Sequence, residues 1–424
     1  MKVLVIGSGG REHALVWAIA KSARVSEVIA TPGNAGIAQL ARCVPASQKD
    51  VDDLLRVAAA ETPDLVVVGP ELPLSQGLVD ELRRRGFPVF GPTQKAAMLE
   101  TSKSFAKRFM QRHAIPTAAY AVAGSEKEAL DSLDLFHLPV VIKADGLAAG
   151  KGVILCQNRR EAMDAISSLF SGKLLGSVER AIVIEEFLQG EEISFLTLTD
   201  GKQVVPLVPA QDHKRIGEGD TGANTGGMGV YSSDGMLDRQ MSEWIMHHIA
   251  IPTINGMAAE DATFVGVLYI GLMMTARGPM VLEYNARFGD PETQAILTRL
   301  DSDLVDALQS SVEGRLSETE LRWKPGASAC VIAASAGYPG AYETGRRITG
   351  LEEASRVPGV EIFHSGTALV DGNYVTSGGR VLGVTAASSS LEESLALAYE
   401  ALGRVHFEGI YYRRDIGRRA LKGR

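Results

Sequence analysis

Short apolar runs alternating with helix-length segments set the pattern of the first hundred residues. Residues 3–6, 28–30, 65–68 and 89–90 read as strands, and 14–20, 51–60 and 78–85 as the helices between them. Strands linked through helices run parallel, so the pattern predicts a doubly wound α/β domain over 1–101, with ligands at the carboxyl ends of its strands. Those ends carry the small or polar turns GSGGREH (7–13), TPGNAG (31–36) and GPE (69–71). A helix is expected from Ala96 to His113, ended by Pro116. From about 118 to 188 the pattern is a small α/β lobe, with strands at 140–144, 153–156 and 182–185 and a helix at 160–170. Residues 191 to about 320 supply longer strands (192–198, 204–208, 264–276, 278–285) and helices at 240–257 and 291–313. The segment WKPGA (323–327) marks a second boundary. The expected division is therefore 1–101, 102–322 and 323–424, the last a small mixed α/β domain with a helix at 391–402.

The totals narrow the class. A chain of 424 residues, 45% hydrophobic and 22% charged with 45 glycines, describes a multidomain globular protein rich in tight loops. A net charge of -8 gives no reason to expect nucleic-acid binding, which needs a basic face. Cys43, Cys156 and Cys330 lie far apart without CxxC spacing and read as buried small hydrophobes. The first apolar run is too brief for a signal-peptide core, and nothing approaches the roughly 20 apolar residues that span a bilayer, so a cytoplasmic enzyme is expected.

Chemistry concentrates in VLEYNARFGDPE (281–292). Side chains alternate along a strand, so Glu283, Asn285 and Arg287 are expected on one face. A carboxylate and an amide two residues apart suit Mg²⁺ shared with substrate phosphates, and Arg287 can neutralise a phosphoryl or carboxylate group. KADGLAAGKG (143–152) joins two strands as a glycine-rich hairpin whose amides can approach phosphate, with Lys143 at its strand end. It is no Walker loop, because Gly152 follows Lys151 where Ser or Thr is required. EEFLQGEE (185–192) lies between that hairpin and the metal strand, where backbone groups can read an adenine edge and a later carboxylate can hold ribose hydroxyls. QDHKR (211–215) and TGANTGGMG (221–229) form an irregular polar stretch of the sort that is usually functional. His213 within it reads as structural or orienting, not catalytic.

Taken in order, GSGGREH, PGNAG, VGPELPL, KADGLAAGKGV, QDHKR, NTGGMG, EYNARFGDPET and SGGRV (377–381) resemble the ATP-grasp superfamily, and within it the ligases that join glycine to 5-phosphoribosylamine. The resemblance runs almost end to end. It implies two ATP-grasp lobes at the centre, flanked by the doubly wound N-terminal and the small C-terminal domain, with ATP between the lobes. It implies nucleotide contacts from Lys103, Lys143, Gly150, Lys151, Gly152, the hinge Glu185, Glu186, Phe187 and Leu188, and the ribose carboxylate Glu192. Glu283 and Asn285 are the implied ligands of Mg²⁺ or Mn²⁺. The turns Gly9, Gly10, Arg11, Glu12, then Pro32, Gly33, Asn34, then Gly69, Pro70, Glu71, are implied to cradle phosphoribosylamine. Arg287, Lys143 and Asp212 carry the implied catalytic roles, with Asp212, Lys214, Asn224, Arg287 and Asp290 around the substrates.

Ser8 and Ala223 depart from the residues common in that superfamily without removing a functional group. Many members also place an acid on the strand before the metal strand, whereas this chain has Leu272, Met273 and Met274 there. The expected reaction phosphorylates glycine and passes the glycyl group to the amine, on small molecules only, without nucleic acid or membrane, by a monomer or weak homodimer. Competing readings are another ATP-grasp ligase with a different acceptor, a silent ATP-sensing module, and a dehydrogenase suggested by Gly7 and Gly9. The last lacks its fingerprint, since Glu12 stands where a third glycine belongs.

Overall fold

The computed structural model describes residues 1–147, 152–173 and 181–422. The first strands are β1 (Lys2–Gly7), β2 (Glu27–Pro32), β3 (Arg42–Cys43), β4 (Leu65–Val68) and β5 (Val89–Phe90), all parallel in the order β3-β2-β1-β4-β5. β1 buries both faces. Val3 and Val5 meet Leu15 and Ile19 of the helix Gly10–Ala20, while Leu4 and Ile6 meet Leu54 and Ala58 of Val51–Glu61 and Leu78 and Leu82 of Leu78–Arg84. The period-two run thus fills two cores, as a doubly wound domain requires. Val305 and Leu308 of the distant helix Leu304–Glu313 complete the first of them.

The turns after β1 and β4 close over one side chain. Glu12, 2% exposed, accepts the Gly9 amide at 2.7 Å and pairs with Arg11 Nε at 2.5 Å. A Cβ added at Gly69 would land on that carboxylate. Gly69→Ala is therefore expected to destabilise the protein by about 2–3 kcal/mol, the cost of overpacking, read from the midpoint of urea unfolding. An unchanged midpoint would contradict this packing.

The small lobe is an antiparallel sheet of β6 (Tyr120–Ala123), β7 (Val140–Ala144), β8 (Val153–Cys156) and β9 (Ile182–Glu186), ordered β6-β9-β7-β8 and covered by Ala162, Ile166 and Leu169 of the helix Arg159–Phe170. The larger lobe is built on β10 (Glu191–Thr199), β11 (Val204–Pro206) and two later strands. Between them the chain forms β12 (Gln211–Asp212), β13 (Arg215–Gly217), β14 (Thr221–Asn224) and β15 (Gly229–Ser233). β16 (Gly266–Thr275) and β17 (Gly278–Asn285) then complete an antiparallel sheet in the order β11-β10-β16-β17. β18 (Ala327–Ala334), β19 (Val360–His364), the pair β20 (Thr367–Val370) and β21 (Asn373–Thr376), and β22 (Arg380–Ser388) follow. The C-terminal sheet runs β12-β15-β18-β22-β19, so it draws two strands from before residue 323. No helix among the described residues is long and apolar enough to cross a membrane.

Three expected elements differ. The helix expected over 96–113 is two, Met98–Thr101 and Lys103–Arg112, because Ser102 is extended and caps the second through the Phe105 amide. The helix expected over 291–313 breaks into Glu292–Arg299 and Leu304–Glu313, with Asp303 capping the latter. The polar stretch 211–229 is not structureless: β13 and β14 pair as a hairpin, and β12 and β15 join the C-terminal sheet. In each case side-chain caps or remote strand pairing override local pattern.

Candidate active site

β17 delivers its polar side chains through an irregularity. Val281 and Tyr284 enter the core, and the Tyr284 hydroxyl meets Thr253 Oγ1 at 2.8 Å. Gly271 lies opposite Glu283 while Leu272 lies opposite Val281, leaving Leu282 as the extra residue of a β-bulge. Leu282, Glu283 and Asn285 all line one cleft of ≈ 820 Å³ between the lobes. The strand partners of Glu283 and Asn285 are Gly271 and Tyr269, so β16 places no carboxylate opposite either of them. A Cβ at Gly271 would stand 3.3 Å from Glu283 Cγ, so glycine there leaves the carboxylate its room. Among the described residues no three His, Cys, Asp or Glu side chains cluster as a metal site.

Arg287 follows on the same side and is already engaged. Its Nη2 stands 3.0 Å from Glu100 Oε1 and 3.3 Å from Asn285 Oδ1, and its Nε 3.5 Å from Glu71 Oε2. Glu100 also accepts the Ala286 amide at 2.7 Å. Nothing in the sequence reading singled out Glu100, whose position at the end of the short helix Met98–Thr101 is set by tertiary packing. Burial pulls the Arg287 guanidinium down, but Glu100, Glu71 and Glu292 outweigh it and hold it above its ordinary range.

The phosphate side of the cleft is built on β7 and the helix Lys103–Arg112. Lys143 Nζ donates to Leu282 O at 3.1 Å and pairs with Glu185 Oε1 at 2.9 Å. The Asp145 carboxylate accepts Ser104 N at 2.9 Å and Ser104 Oγ at 2.7 Å, a side chain seated on a helix N-terminus. Lys103 Nζ donates to Gly146 O at 2.7 Å. Gly152 lines the cleft, whereas Gly150 and Lys151 lie outside the described residues. The Glu185 side chain is 2% exposed, held between Lys143 and Lys107, and its backbone lies in β9 between β6 and β7. Glu186 likewise turns to Ala119 N and Arg277. Leu188, Leu99, Met110, Val141, Leu155 and Met273 give the hinge an apolar slot.

Deeper in, Lys214 sits between carboxylates, paired with Glu192 and 3.6 Å from Glu283 Oε1. Burial lowers its ammonium, yet Glu192, Tyr269, Glu283 and Asp212 together hold it well above the lysine range. Burial raises the Glu283 carboxyl, and Lys214, Lys143, Lys103 and Arg287 bring it below its ordinary value. Asp212 goes the other way: burial and neighbouring Glu292 keep its carboxyl well above the usual range. Arg380 binds Asp290 Oδ2 at 3.0 Å and the carbonyls of Gly226 and Asp290 at 2.7 and 2.9 Å. The SGGRV segment was noted in the sequence, but this role for its arginine was not. His213 spans Gly229 O and the Gly417 amide, and burial, aided by Arg413, pushes it down to about 4, which fits a neutral structural imidazole.

The N-terminal turns divide. Arg11 and Glu71 line the cleft beside Asn224 and Asp290, and a Cβ at Gly9 would stand 3.5 Å from Asp290 Oδ2. Asn34 instead spends its amide on Ser8 O and His364 O and its carbonyl on the amides of Gly36 and Ile37. With Glu12 also turned inward, both are corrected to residues that shape the turns. Gly9, Gly10, Pro32, Gly33, Gly69 and Pro70 are not among the cleft-lining residues. The cysteines are free, with Cys43 half-buried and not fully buried as expected.

Two lobes closing on a cleft of lysines, a hinge and a carboxylate-amide pair define an ATP-grasp architecture. Models of the phosphoribosylglycinamide synthetase N domain, ATP-grasp (A) domain and C domain match residues 1–100, 101–293 and 328–419. The chain is 50% identical over 99% of its length to the whole of a phosphoribosylamine--glycine ligase from Chlorobaculum tepidum, and 47% identical, covering 99% of each, to one from Vibrio cholerae. The crystal structure of the Thermotoga maritima phosphoribosylamine--glycine ligase superposes with a TM-score of 0.86 at 36% identity, covering 98% of this chain and 100% of that one. A biotin carboxylase from Campylobacter jejuni, 15% identical with a TM-score of 0.76 over 99% and 95% of the two chains, shares the fold. This chain belongs to the phosphoribosylglycinamide synthetase family.

Proposed function

We propose that the cleft ligates glycine to 5-phosphoribosylamine at the expense of ATP, giving glycinamide ribonucleotide, ADP and phosphate. The observation that carries this reading is the convergence of Glu283, Asn285, Lys143 and Arg287 on one cleft that also reaches Arg11 and Glu71 of the N-terminal domain. A carboxylate is a poor acyl donor until phosphorylated. One glycine carboxylate oxygen attacks the γ-phosphorus, the bond to ADP breaks, and glycyl phosphate results. The amine then attacks the acyl carbon, phosphate leaves, and the amine proton passes to solvent or phosphate.

Each residue has a part in that sequence. Lys103 and Lys143 face the triphosphate, the backbone of Glu185 to Leu188 reads the adenine edge within its apolar slot, and Glu192 takes the ribose hydroxyls as Lys214 shifts toward phosphate. Arg287, paired with Glu100, orients the glycine carboxylate. Asp212, whose burial and neighbour Glu292 disfavour its anion, accepts the glycine ammonium, whose charge offsets that burial. Arg11, Glu71 and Asp290 meet the phosphoribosylamine.

Glu283 and Asn285 offer two oxygen donors, a set too small for a closed protein cage but suited to Mg²⁺ that shares phosphate ligands. Bound there, the ion would neutralise charge on the transferring phosphoryl group. A 2-oxoglutarate carboxylase domain of this fold is described in complex with MgADP. Chelation with EDTA is expected to abolish turnover and added Mg²⁺ to restore it, with Mn²⁺ as a second effective ion; undiminished turnover in EDTA would refute the metal role. The enzyme is read as a cytoplasmic monomer or weak homodimer acting on small molecules.

The deciding assay is ADP release with glycine and phosphoribosylamine supplied singly and together. Turnover only with both is expected. Equal rates with another amine acceptor in place of phosphoribosylamine would shift the reading to a different ligase.

A further inference from the structure

Lys107 lies one turn beyond Lys103 on the helix Lys103–Arg112 and is 2% exposed. Its ammonium donates to Thr117 Oγ1 at 2.7 Å and pairs with Glu185 Oε2 at 2.9 Å. Thr117 in turn donates to Val281 O at 2.6 Å, tying Lys107 to the strand that carries Glu283 and Asn285. The other oxygen of Glu185 is the one that holds Lys143 at 2.9 Å. Two ammoniums thus share one carboxylate in a wall of the cleft nearly closed to water. Buried charge of this kind is costly unless compensated, and Glu185 is the carboxylate that both ammoniums share at ion-pair distance, with Glu186 acting on Lys107 and Glu283 on Lys143 from farther away. Of the two ammoniums, Lys143 is the one beside the metal pair, its Nζ also donating to Leu282 O.

We propose that Lys107 is a positioning residue for the nucleotide: by engaging half of Glu185, it prevents that carboxylate from neutralising Lys143, and so preserves the Lys143 charge for the triphosphate. Burial pushes the Lys107 ammonium down to about 8, Glu185 pulling against it and neighbouring Lys143 adding to the fall, as two cations on one carboxylate require. The inference rests on the nucleotide half of the reading above. It predicts a charge effect on ATP alone, at a residue that does not itself touch the phosphates.

The test is steady-state kinetics on Lys107→Met, Glu185→Gln and the double variant, with melting temperatures for all three. In Lys107→Met, Glu185 turns wholly to Lys143, and KM for ATP is expected to rise about tenfold while KM for glycine and phosphoribosylamine stays within about twofold. In the double variant the neutralising carboxylate is gone, so KM for ATP should return to within about threefold of Glu185→Gln. A Lys107→Met enzyme with a lowered melting temperature but unchanged KM for ATP would overturn the proposal, because Lys107 would then be structural. Should Lys107→Met fail to fold, the comparison of the double variant with Glu185→Gln still decides: a further loss of about tenfold there would show that Lys107 meets the nucleotide directly, which also overturns it. A parent enzyme without glycine-dependent ADP release would instead refute the functional reading itself.

Discussion

Glu283→Ala is expected to reduce ADP release by about a thousandfold, the scale of losing a preorganised group that stabilises charge in the transition state. The carboxylate faces the cleft opposite Gly271, and four cations around it, Lys214, Lys143, Lys103 and Arg287, favour its ionised form. No described core contact depends on it, and Lys214 keeps Glu192 as a partner. The thermal unfolding midpoint should therefore stay near that of the parent while turnover collapses. Asn285→Ala should be milder, about a hundredfold, because one donor and the phosphates would remain to hold the ion. A coupled ADP assay beside a circular dichroism melt separates the two quantities. Near-normal turnover in Glu283→Ala would remove the metal assignment.

Arg287→Met should damage both activity and stability. Its guanidinium is the counter-charge of Glu100, whose side chain is 5% exposed, and breaking one side of a buried pair costs about 3–5 kcal/mol. The pH dependence has a definite sign. Burial raises the Glu100 carboxyl above its ordinary 4.5, Arg287 opposes this, and Glu71 adds to it. Without the arginine the carboxyl rises further, so the folded state retains a proton that the unfolded chain has lost. Stability in the variant is then full below the ordinary carboxylate value and falls as pH rises through the elevated one. Urea unfolding from pH 4 to pH 8 reads the slope directly, and a variant equally stable throughout would show that Glu100 is not stranded. Glu100→Gln in the same background should flatten the slope.

The fold was legible where burial on both faces writes itself into composition, as in residues 3–6, and where glycine-rich turns must end strands. The strand 278–285 and its polar side were legible from alternation, which sets Glu283 and Asn285 on one face. What escaped notice depends on contacts between distant segments. Ser102 breaks a helix because its hydroxyl caps the next turn and the Asp145 carboxylate sits on that N-terminus. Glu100 and Arg380 gain their roles from Arg287 and Asp290, 187 and 90 residues away along the chain. Lys107 was within reach of the sequence, since it shares a helical face with Lys103. Glu185 was legible in the hinge by position, whereas the direction of its side chain, inward to two lysines, is set by the pairing of β9 between β6 and β7.

At the N-terminal turns residue type alone misled for a local reason. Asn34 and Glu12 carry the right chemistry for a sugar phosphate, yet neighbouring backbone amides consume it. Arg11 and Glu71, from turns of the same appearance, reach the cleft.

The chemistry itself is best examined with glycine carrying ¹⁸O in both carboxylate oxygens. If the carboxylate is phosphorylated and the amine then displaces phosphate, each phosphate released during ligation should contain one ¹⁸O and the product amide should keep the other. Phosphate free of label, with both heavy atoms lost to water or retained in product, would contradict activation through glycyl phosphate in this cleft.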